Sequence, residues 1–151
     1  MKLTIFDFDG TLTASLWRKQ LYLDGKYDDF HEAVSDDIAN EKIFDLFASA
    51  LAEDDHDVVI STARPRKHIK SMTDWIREEG SFLKSKFSSI HIYCRSDSDI
   101  RPSTEVKKDN LESLLRRRGD DYDSIIIYED REDCCQMYSE FDVIVEKVEE
   151  L

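Results

Sequence analysis

The sequence predicts an α/β fold: a doubly wound, mostly parallel sheet with helices on both faces. Short apolar runs that suit strands alternate along the chain with segments whose apolar residues recur at helical spacing. Two of the runs, 58–60 and 125–127, are apolar without alternation, which is typical of strands covered on both faces. The length of 151 residues suits one domain, and we expect residues 1–151 to form it.

The first third of the chain predicts one strand and two helices. Residues 2–8 alternate and then run apolar, which predicts a strand that breaks into a turn at Gly10. A short helix is expected over 16–23, inside a mixed stretch, 14–40, that could form a small helical insert. Apolar residues at helical spacing over 43–51 predict an amphipathic helix.

The remainder of the chain repeats strand and helix. Strands are predicted at 58–60, 90–94, 125–128 and 143–145, and helices at 69–76, from 104 onward, and around 137–138. Gly80 and Gly119 are expected to end the two longer helices, and Thr104 to cap the start of the second.

Polar side chains collect where the predicted strands end. They are Asp7 and Asp9 after the first strand, Thr62 after the second, Lys107 in the helix after the third, and Glu129 and Asp130 after the fourth. Because ligands of open parallel sheets bind beyond the carboxyl ends of the strands, we expect these residues to converge at one edge.

The converging residues are chemically suited to phosphoryl transfer. Asp7, Asp9 and Asp130 offer the oxygen ligands that Mg²⁺ prefers. One aspartate can then attack phosphorus while another serves as general acid and base. Thr62 and Lys107 offer a hydroxyl and a cation to the phosphoryl oxygens.

The segment Asp7-Phe8-Asp9-Gly10-Thr11 resembles the DxDGT signature of the haloacid dehalogenase (HAD) superfamily of phosphotransferases. Thr62, Lys107 and the Glu129-Asp130 pair match its later motifs in order, so the resemblance runs from residue 3 to about 145. It implies a Rossmann-like, HAD-like fold with a central first strand, and a Mg²⁺-dependent phosphatase that forms an aspartyl-phosphate.

The resemblance also implies a role for each residue. Asp7 is the expected nucleophile, and Asp9 the acid/base whose backbone carbonyl contacts the metal. The implied catalytic residues are Asp7, Asp9, Thr62 and Lys107; the metal ligands are Asp7, Asp9 and Asp130; and the substrate-binding residues are Gly10, Thr11, Thr62, Ala63, Arg64 and Lys107.

Three assignments stay open between neighbouring residues. Glu129 stands where many members of the superfamily have a second aspartate, and Asp133, one helical turn after Asp130, is a rival. Lys108 competes with Lys107, which the spacing favours. Arg64 is either an exposed loop cation or a ligand that holds a non-reacting phosphate of the substrate.

The strings Thr62-Ala63-Arg64 and Tyr128-Glu129-Asp130-Arg131 resemble the phosphatase domains of polynucleotide kinase-phosphatases and RNA-repair-like relatives. This resemblance implies a nucleic-acid end or a nucleotide as substrate, although Ser103 stands where those domains can carry an aspartate. No P-loop motif is present, so no kinase half is expected. A small insert leaves an open site, which would also admit a sugar or metabolite phosphate.

Two functions of other classes compete with a phosphatase. A receiver-like phosphoacceptor has similar residues, but its aspartate follows a later strand, whereas here the motif ends the first. A non-catalytic phosphate-binding module is the second alternative, and the presence of both Asp7 and Asp9 disfavours it.

The composition bears on partners and compartment. The net charge of −13 opposes binding to polyanions, yet residues 64–118 hold 14 Lys and Arg against 8 Asp and Glu, while the rest of the chain holds 7 against 26. Three cysteines, two of them adjacent, predict no disulfide framework, and the scattered histidines predict no zinc site. We expect a cytoplasmic protein without a membrane segment.

Overall fold

The structure is a computed structural model that describes residues 1–151. In chain order its strands are β1 (Lys2–Phe6), β2 (Thr13–Ala14), β3 (Ile38–Ala39), β4 (His56–Pro65), β5 (Ile90–Arg95), β6 (Ser124–Glu129) and β7 (Ile144–Lys147). Its α-helices are α1 (Lys19–Leu23), α2 (Tyr27–Glu32), α3 (Glu41–Ala52), α4 (Ile69–Glu79), α5 (Ser103–Arg118) and α6 (Glu132–Tyr138).

Five strands form one parallel sheet in the order β5-β4-β1-β6-β7, which confirms the predicted fold class. β1 lies at the centre and is apolar on both faces. Leu3 and Ile5 pack into one hydrophobic cluster, whereas Phe6 and Phe8 pack into the other. Alternate side chains of a strand point to opposite faces, so this strand contributes to both halves of the core.

The helices cover the two faces in pairs. α3 and α4 contribute Phe47 and Trp75 to the same cluster as Phe6, and α5 and α6 contribute Leu111 and Met137 to the other. The chain therefore changes faces between the units on either side of β1. This is the switch point at which open α/β sheets bind ligands.

The strand register brings the ends of three strands together. Phe6 lies opposite Ile60 of β4 and Tyr128 of β6. The residues that follow, including Asp7 and Glu129, therefore emerge at one edge of the sheet.

The stretch 14–40, for which a small insert was predicted and which is called the insert below, is largely helical. It holds α1, α2 and two 3-10 turns, Leu16–Arg18 and Ala33–Asp36, and the short strands β2 and β3 pair antiparallel at its base. This ribbon was not predicted, because strands of two residues are too short to show alternation.

Several predicted boundaries were wrong. β1 ends at Phe6 rather than 8, and β4 spans ten residues rather than three, with a register irregularity between Ser61 and Pro65. Backbone pairing with β5 extends β4 beyond the apolar residues 58–60. Polar side chains are tolerated there because backbone pairing does not depend on them.

Thr104 is not the N-cap of α5. The helix begins at Ser103 and its N-cap is Pro102, whose carbonyl accepts the N–H groups of Glu105 and Val106. Proline lacks an N–H and prefers this backbone φ, so it starts the helix without a side-chain cap. Gly80 and Gly119 do follow the last residues of α4 and α5. None of the helices combines the length and apolar character that crossing a bilayer requires.

Candidate active site

The loop after β1 is a tight turn built on one carbonyl group. The Phe8 carbonyl accepts the N–H groups of Thr11, Leu12 and Thr13. Gly10 has a φ of +83°, and a Cβ at this position would lie 2.5 Å from Oδ2 of Asp130. Only glycine meets both requirements, because other residues are strained at this φ. The turn thus brings Asp130 against the loop that carries both aspartates.

The carboxylate of Asp7 is held on both oxygens. Oδ1 accepts a hydrogen bond of 2.9 Å from Nζ of Lys107, and Oδ2 accepts one of 3.0 Å from the hydroxyl of Thr11. Burial opposes ionisation, but the charge of Lys107 and the hydrogen bonds outweigh it and hold the pKa of Asp7 below its usual value. Asp7 is therefore an oriented carboxylate.

Lys107, rather than Lys108, lies in the site. Its buried Nζ bridges Asp7 and Oε1 of Glu129, the second contact being 2.5 Å. Burial lowers the pKa of Lys107, but the two carboxylates raise it well above its ordinary value. Lys108 is 46% exposed and lies 4.0 Å from Glu140 on the surface.

Three carboxylates meet beside this lysine. Asp7, Glu129 and Asp130 place one oxygen each within 4.8 Å of one another, and the Thr11 hydroxyl lies 3.1 Å from Oδ1 of Asp130. Oε2 of Glu129 is buried without a hydrogen-bond partner. Burial, reinforced by the charge of Asp7, raises the pKa of Asp130 to about 10 and that of Glu129 to about 8.

These observations fit a divalent cation. An orphaned carboxylate oxygen and a crowded set of anions are both satisfied by a hard cation with oxygen ligands. Asp133 does not belong to the cluster, since it is exposed and pairs with Arg131 and with the N–H of Cys134. The structure therefore favours Glu129 over Asp133 as the additional carboxylate.

Asp9 has different surroundings. Nε and Nη2 of Arg64 donate to its two oxygens at 3.0 and 2.9 Å, and Nη2 of Arg18 donates at 2.7 Å. Burial opposes ionisation, but the two guanidinium groups hold the pKa of Asp9 well below its usual range. The Asp9 side chain is not in the acidic cluster, so its expected metal contact is limited to the backbone carbonyl, as the family resemblance implies.

Arg18 is a partner of Asp9 that the sequence did not predict. It comes from the insert, is almost fully buried, and also binds Asp37 through Nε and Nη2 and the Phe30 carbonyl through Nη1. In the sequence Arg18 is notable only as a cation within an aromatic-rich segment. Its distance along the chain from Asp9 does not predict their contact.

Arg64 turns toward Asp9. Besides Asp9, it donates to the carbonyl of His68 and the hydroxyl of Ser71, so four of its five N–H donors are committed. It is 1% exposed. The alternative of an exposed loop cation is therefore wrong. Binding a substrate phosphate would leave Arg64 a single free N–H donor unless these hydrogen bonds exchange.

Two further predicted residues shape the end of β4. The buried Thr62 accepts the N–H of Arg64 on its hydroxyl at 3.1 Å. The Ala63 carbonyl accepts Nε of Arg95 at 2.6 Å. The site therefore brings Asp7, Thr11, Lys107 and Asp130 into one network and places Asp9 with Arg64 in a second.

Thirteen chains of solved structures match this chain, and three of them illustrate the likeness. This chain superposes on a chain of "Structure of Pnkp1/Rnl/Hen1 complex" with a TM-score of 0.71 and 16% identity, over 98% of this chain and 46% of the other. A chain of "Structure of the Pnkp1/Rnl/Hen1 RNA repair complex" superposes with a TM-score of 0.71 and 17% identity, over 98% of this chain and 42% of the other. The HAD domain of the effector protein Lem4 from Legionella pneumophila superposes with a TM-score of 0.52 and 14% identity, over 99% of this chain and 85% of the other.

The likeness to these structures establishes the fold. This chain spans a little under half the length of the two repair-complex chains. No curated protein sequence matches it. The model of the polynucleotide kinase PNKP phosphatase domain, however, matches residues 1–150. The chain therefore belongs to the HAD-type phosphatase domains of polynucleotide kinase.

Proposed function

We propose that this phosphatase is Mg²⁺-dependent, works through an aspartyl-phosphate on Asp7, and removes a terminal phosphate from a nucleic acid or nucleotide. The observation that carries the proposal is the contrast between two carboxylates of one loop. Asp7 lies in an acidic cluster beside Lys107, whereas Asp9 lies between two arginines.

In the first half-reaction an oxygen of Asp7 attacks phosphorus, and the bond from phosphorus to the leaving oxygen breaks. Asp9, which Arg18 and Arg64 hold ionised in the free protein, takes a proton from the bound phosphate monoanion and gives it to that oxygen. In the second half, Asp9 takes a proton from water as the water attacks phosphorus. The bond to Asp7 then breaks, inorganic phosphate leaves, and the Asp7 carboxylate is regenerated.

The other residues orient the reacting groups and balance their charge. Lys107 fixes one oxygen of Asp7, and Thr11 fixes the other. Asp7, Glu129 and Asp130, with the Asp9 carbonyl, are the groups proposed to hold Mg²⁺, which when bound supplies Lewis-acid stabilisation of phosphoryl charge. Thr62 and Lys107 are proposed to contact the phosphoryl oxygens.

The substrate class is supported by the family and by charge. Members of the matched family are phosphatase domains of polynucleotide kinase. Two structural neighbours belong to Pnkp1/Rnl/Hen1 assemblies, one of which is an RNA repair complex. Arg66, two residues past Arg64, is exposed and makes no ion pair, so it can meet a further phosphate. The net charge of −13 predicts that binding beyond the end of the chain is weak and falls as salt rises.

The test has two parts. Release of inorganic phosphate should stop after thorough chelation and return with Mg²⁺, and undiminished release in chelator would contradict the mechanism. Oligonucleotides with a 3′- or a 5′-phosphate, mononucleotides and sugar phosphates should then be compared at one salt concentration. A sugar phosphate with the highest kcat/KM would favour the metabolite alternative and leave the phosphatase assignment intact.

A further inference from the structure

The insert carries an exposed tryptophan beside a surface concavity. Trp17, Asp36 and Ile38 line a concavity of about 340 Å³. Trp17 is 56% exposed and Ile38 is 73% exposed, whereas the other tryptophan, Trp75, is only 3% exposed in the core. Two large apolar side chains therefore stand exposed side by side at one concavity.

Trp17 is fixed in place and connected to the active site. Its indole N–H donates to Oδ1 of Asp37 at 2.7 Å. Oδ2 of Asp37 accepts Nη2 of Arg18 at 2.6 Å, and the same nitrogen donates to Asp9 at 2.7 Å. Three hydrogen bonds in series therefore separate the indole from the proposed acid/base residue.

This anchoring decides what the indole can offer a ligand. Its one polar group is used inside the protein, so its exposed surface is an aromatic face. A rigid aromatic face next to a phosphate site is how proteins bind the bases of single-stranded nucleic acids. The volume of the concavity falls at the lower end of the range of about 300–1,000 Å³ for small-ligand sites.

We propose that the Trp17–Asp36–Ile38 concavity binds the nucleobase of the substrate's terminal nucleotide. The base stacks on Trp17 and contacts Ile38, and the exposed carboxylate of Asp36 accepts a hydrogen bond from a base amino group. This inference rests on the proposed function, and it adds the feature by which the site distinguishes a nucleotide from a sugar phosphate.

The first test compares variants on two substrates, adenosine 3′-phosphate and nitrophenyl phosphate. In Trp17→Ala the ratio of kcat/KM for the nucleotide to that for nitrophenyl phosphate should fall about 5- to 100-fold. Trp17→Phe keeps an aromatic face but loses the indole N–H, and should retain most of the ratio. Leu23→Ala removes another exposed apolar side chain of the insert, 65% exposed, and should leave the ratio unchanged.

Trp17 can also act through Asp37 and Arg18 on Asp9, and the two variants separate this possibility. In that case Trp17→Phe and Trp17→Ala would lower kcat equally on both substrates, because both remove the indole N–H. That result would overturn the base-binding proposal, as would an unchanged ratio in Trp17→Ala.

The second test measures binding without turnover. In an Asp7→Asn background, adenosine 3′-phosphate should quench tryptophan fluorescence, and the quench should vanish in Trp17→Phe, which leaves Trp75 as the only tryptophan. An equal quench in both proteins would contradict the proposal.

A third test, on wild-type protein, distinguishes failure of this inference from failure of the proposed function. Oligonucleotides ending in a 3′-phosphorylated nucleotide or in a 3′-phosphorylated abasic sugar should differ in kcat/KM, in favour of the base. Equal values would refute the base site and leave the terminal-phosphate substrate standing. If nitrophenyl phosphate is hydrolysed and no oligonucleotide with a 3′- or a 5′-phosphate is, the substrate class itself is wrong and the base site is wrong with it.

Discussion

Asp7 and Asp9 lie two residues apart in one loop, yet their surroundings are of opposite charge. Asp7 meets one cation, Lys107, and two further carboxylates. Asp9 meets two arginines and no other carboxylate in hydrogen-bond contact. The same residue type therefore has two environments in one loop, which supports the proposed division into a nucleophile and an acid/base.

The partners of the two aspartates also come from different parts of the fold. Lys107 and Glu129 belong to α5 and β6, which are core elements of the doubly wound sheet. Arg18 belongs to the insert and Arg64 to the irregular end of β4. The insert therefore contributes one of the two arginines that bind Asp9.

The largest expected effect comes from Asp7→Asn, which removes the proposed nucleophile. Turnover should be abolished on every phosphomonoester, including those with good leaving groups, because no aspartyl-phosphate can form. Phosphate release and thermal unfolding should be measured together, since the variant should still fold. Asp133→Asn, which changes an exposed aspartate outside the cluster, is the matched control and should keep full activity. Substantial turnover by Asp7→Asn would remove the distinction between the two aspartates.

Asp9→Asn should slow an alkyl phosphate by about 10²- to 10⁴-fold, the usual value of general acid–base assistance. For nitrophenyl phosphate the first half-reaction needs no proton, so the defect should be smaller and should reside in hydrolysis of the aspartyl-phosphate. A burst of nitrophenol followed by a slow steady state would show this directly. Equal slowing of both substrates without a burst would contradict the acid role.

Arg64→Ala tests whether Arg64 positions Asp9 or holds the substrate. Loss of its two bonds to Asp9 should lower kcat by about 10²-fold, the typical cost of a misplaced catalytic group, and change KM little. Arg66→Ala is the control for a nearby exposed cation and should affect KM instead. A rise in KM at constant kcat in Arg64→Ala would restore the role first expected from the sequence, that of a phosphate ligand.

The last expected effect is on stability and concerns His31, which lies in the insert next to the ring of His68. Burial lowers the pKa of His31 to about 4, while its ordinary value is 6.5. The unfolded chain therefore binds a proton between these values and the folded chain does not. The free energy of unfolding falls as the pH drops through this window.

Urea unfolding at pH 7.5 and 4.5 should show that His31→Gln loses about 2 to 3 kcal/mol less stability than wild type over this interval. His91→Gln changes an exposed histidine and should follow the wild-type pH dependence. An identical loss in His31→Gln would mean that the insert opens before the core unfolds.

The sequence alone predicted the parallel sheet and most of the Asp7 site. Continuous apolar runs predict strands because a strand buried on both faces needs apolar side chains at successive positions. Gly10 reports a turn because its φ of +83° and the close approach of Asp130 exclude a side chain. Asp7, Lys107 and Asp130 were predicted because each follows a strand whose end lies at the same edge.

Only the tertiary structure decided the partners of the long side chains. Arg18 and Arg64 both reach Asp9, from 9 and 55 residues away, and Glu129 rather than Asp133 joins the acidic cluster. The concavity beside Trp17 likewise exists only once the insert has folded. A strand or turn is determined by neighbours in the chain, whereas the partner of a buried charge is determined by distance and desolvation in three dimensions, which sequence spacing does not encode.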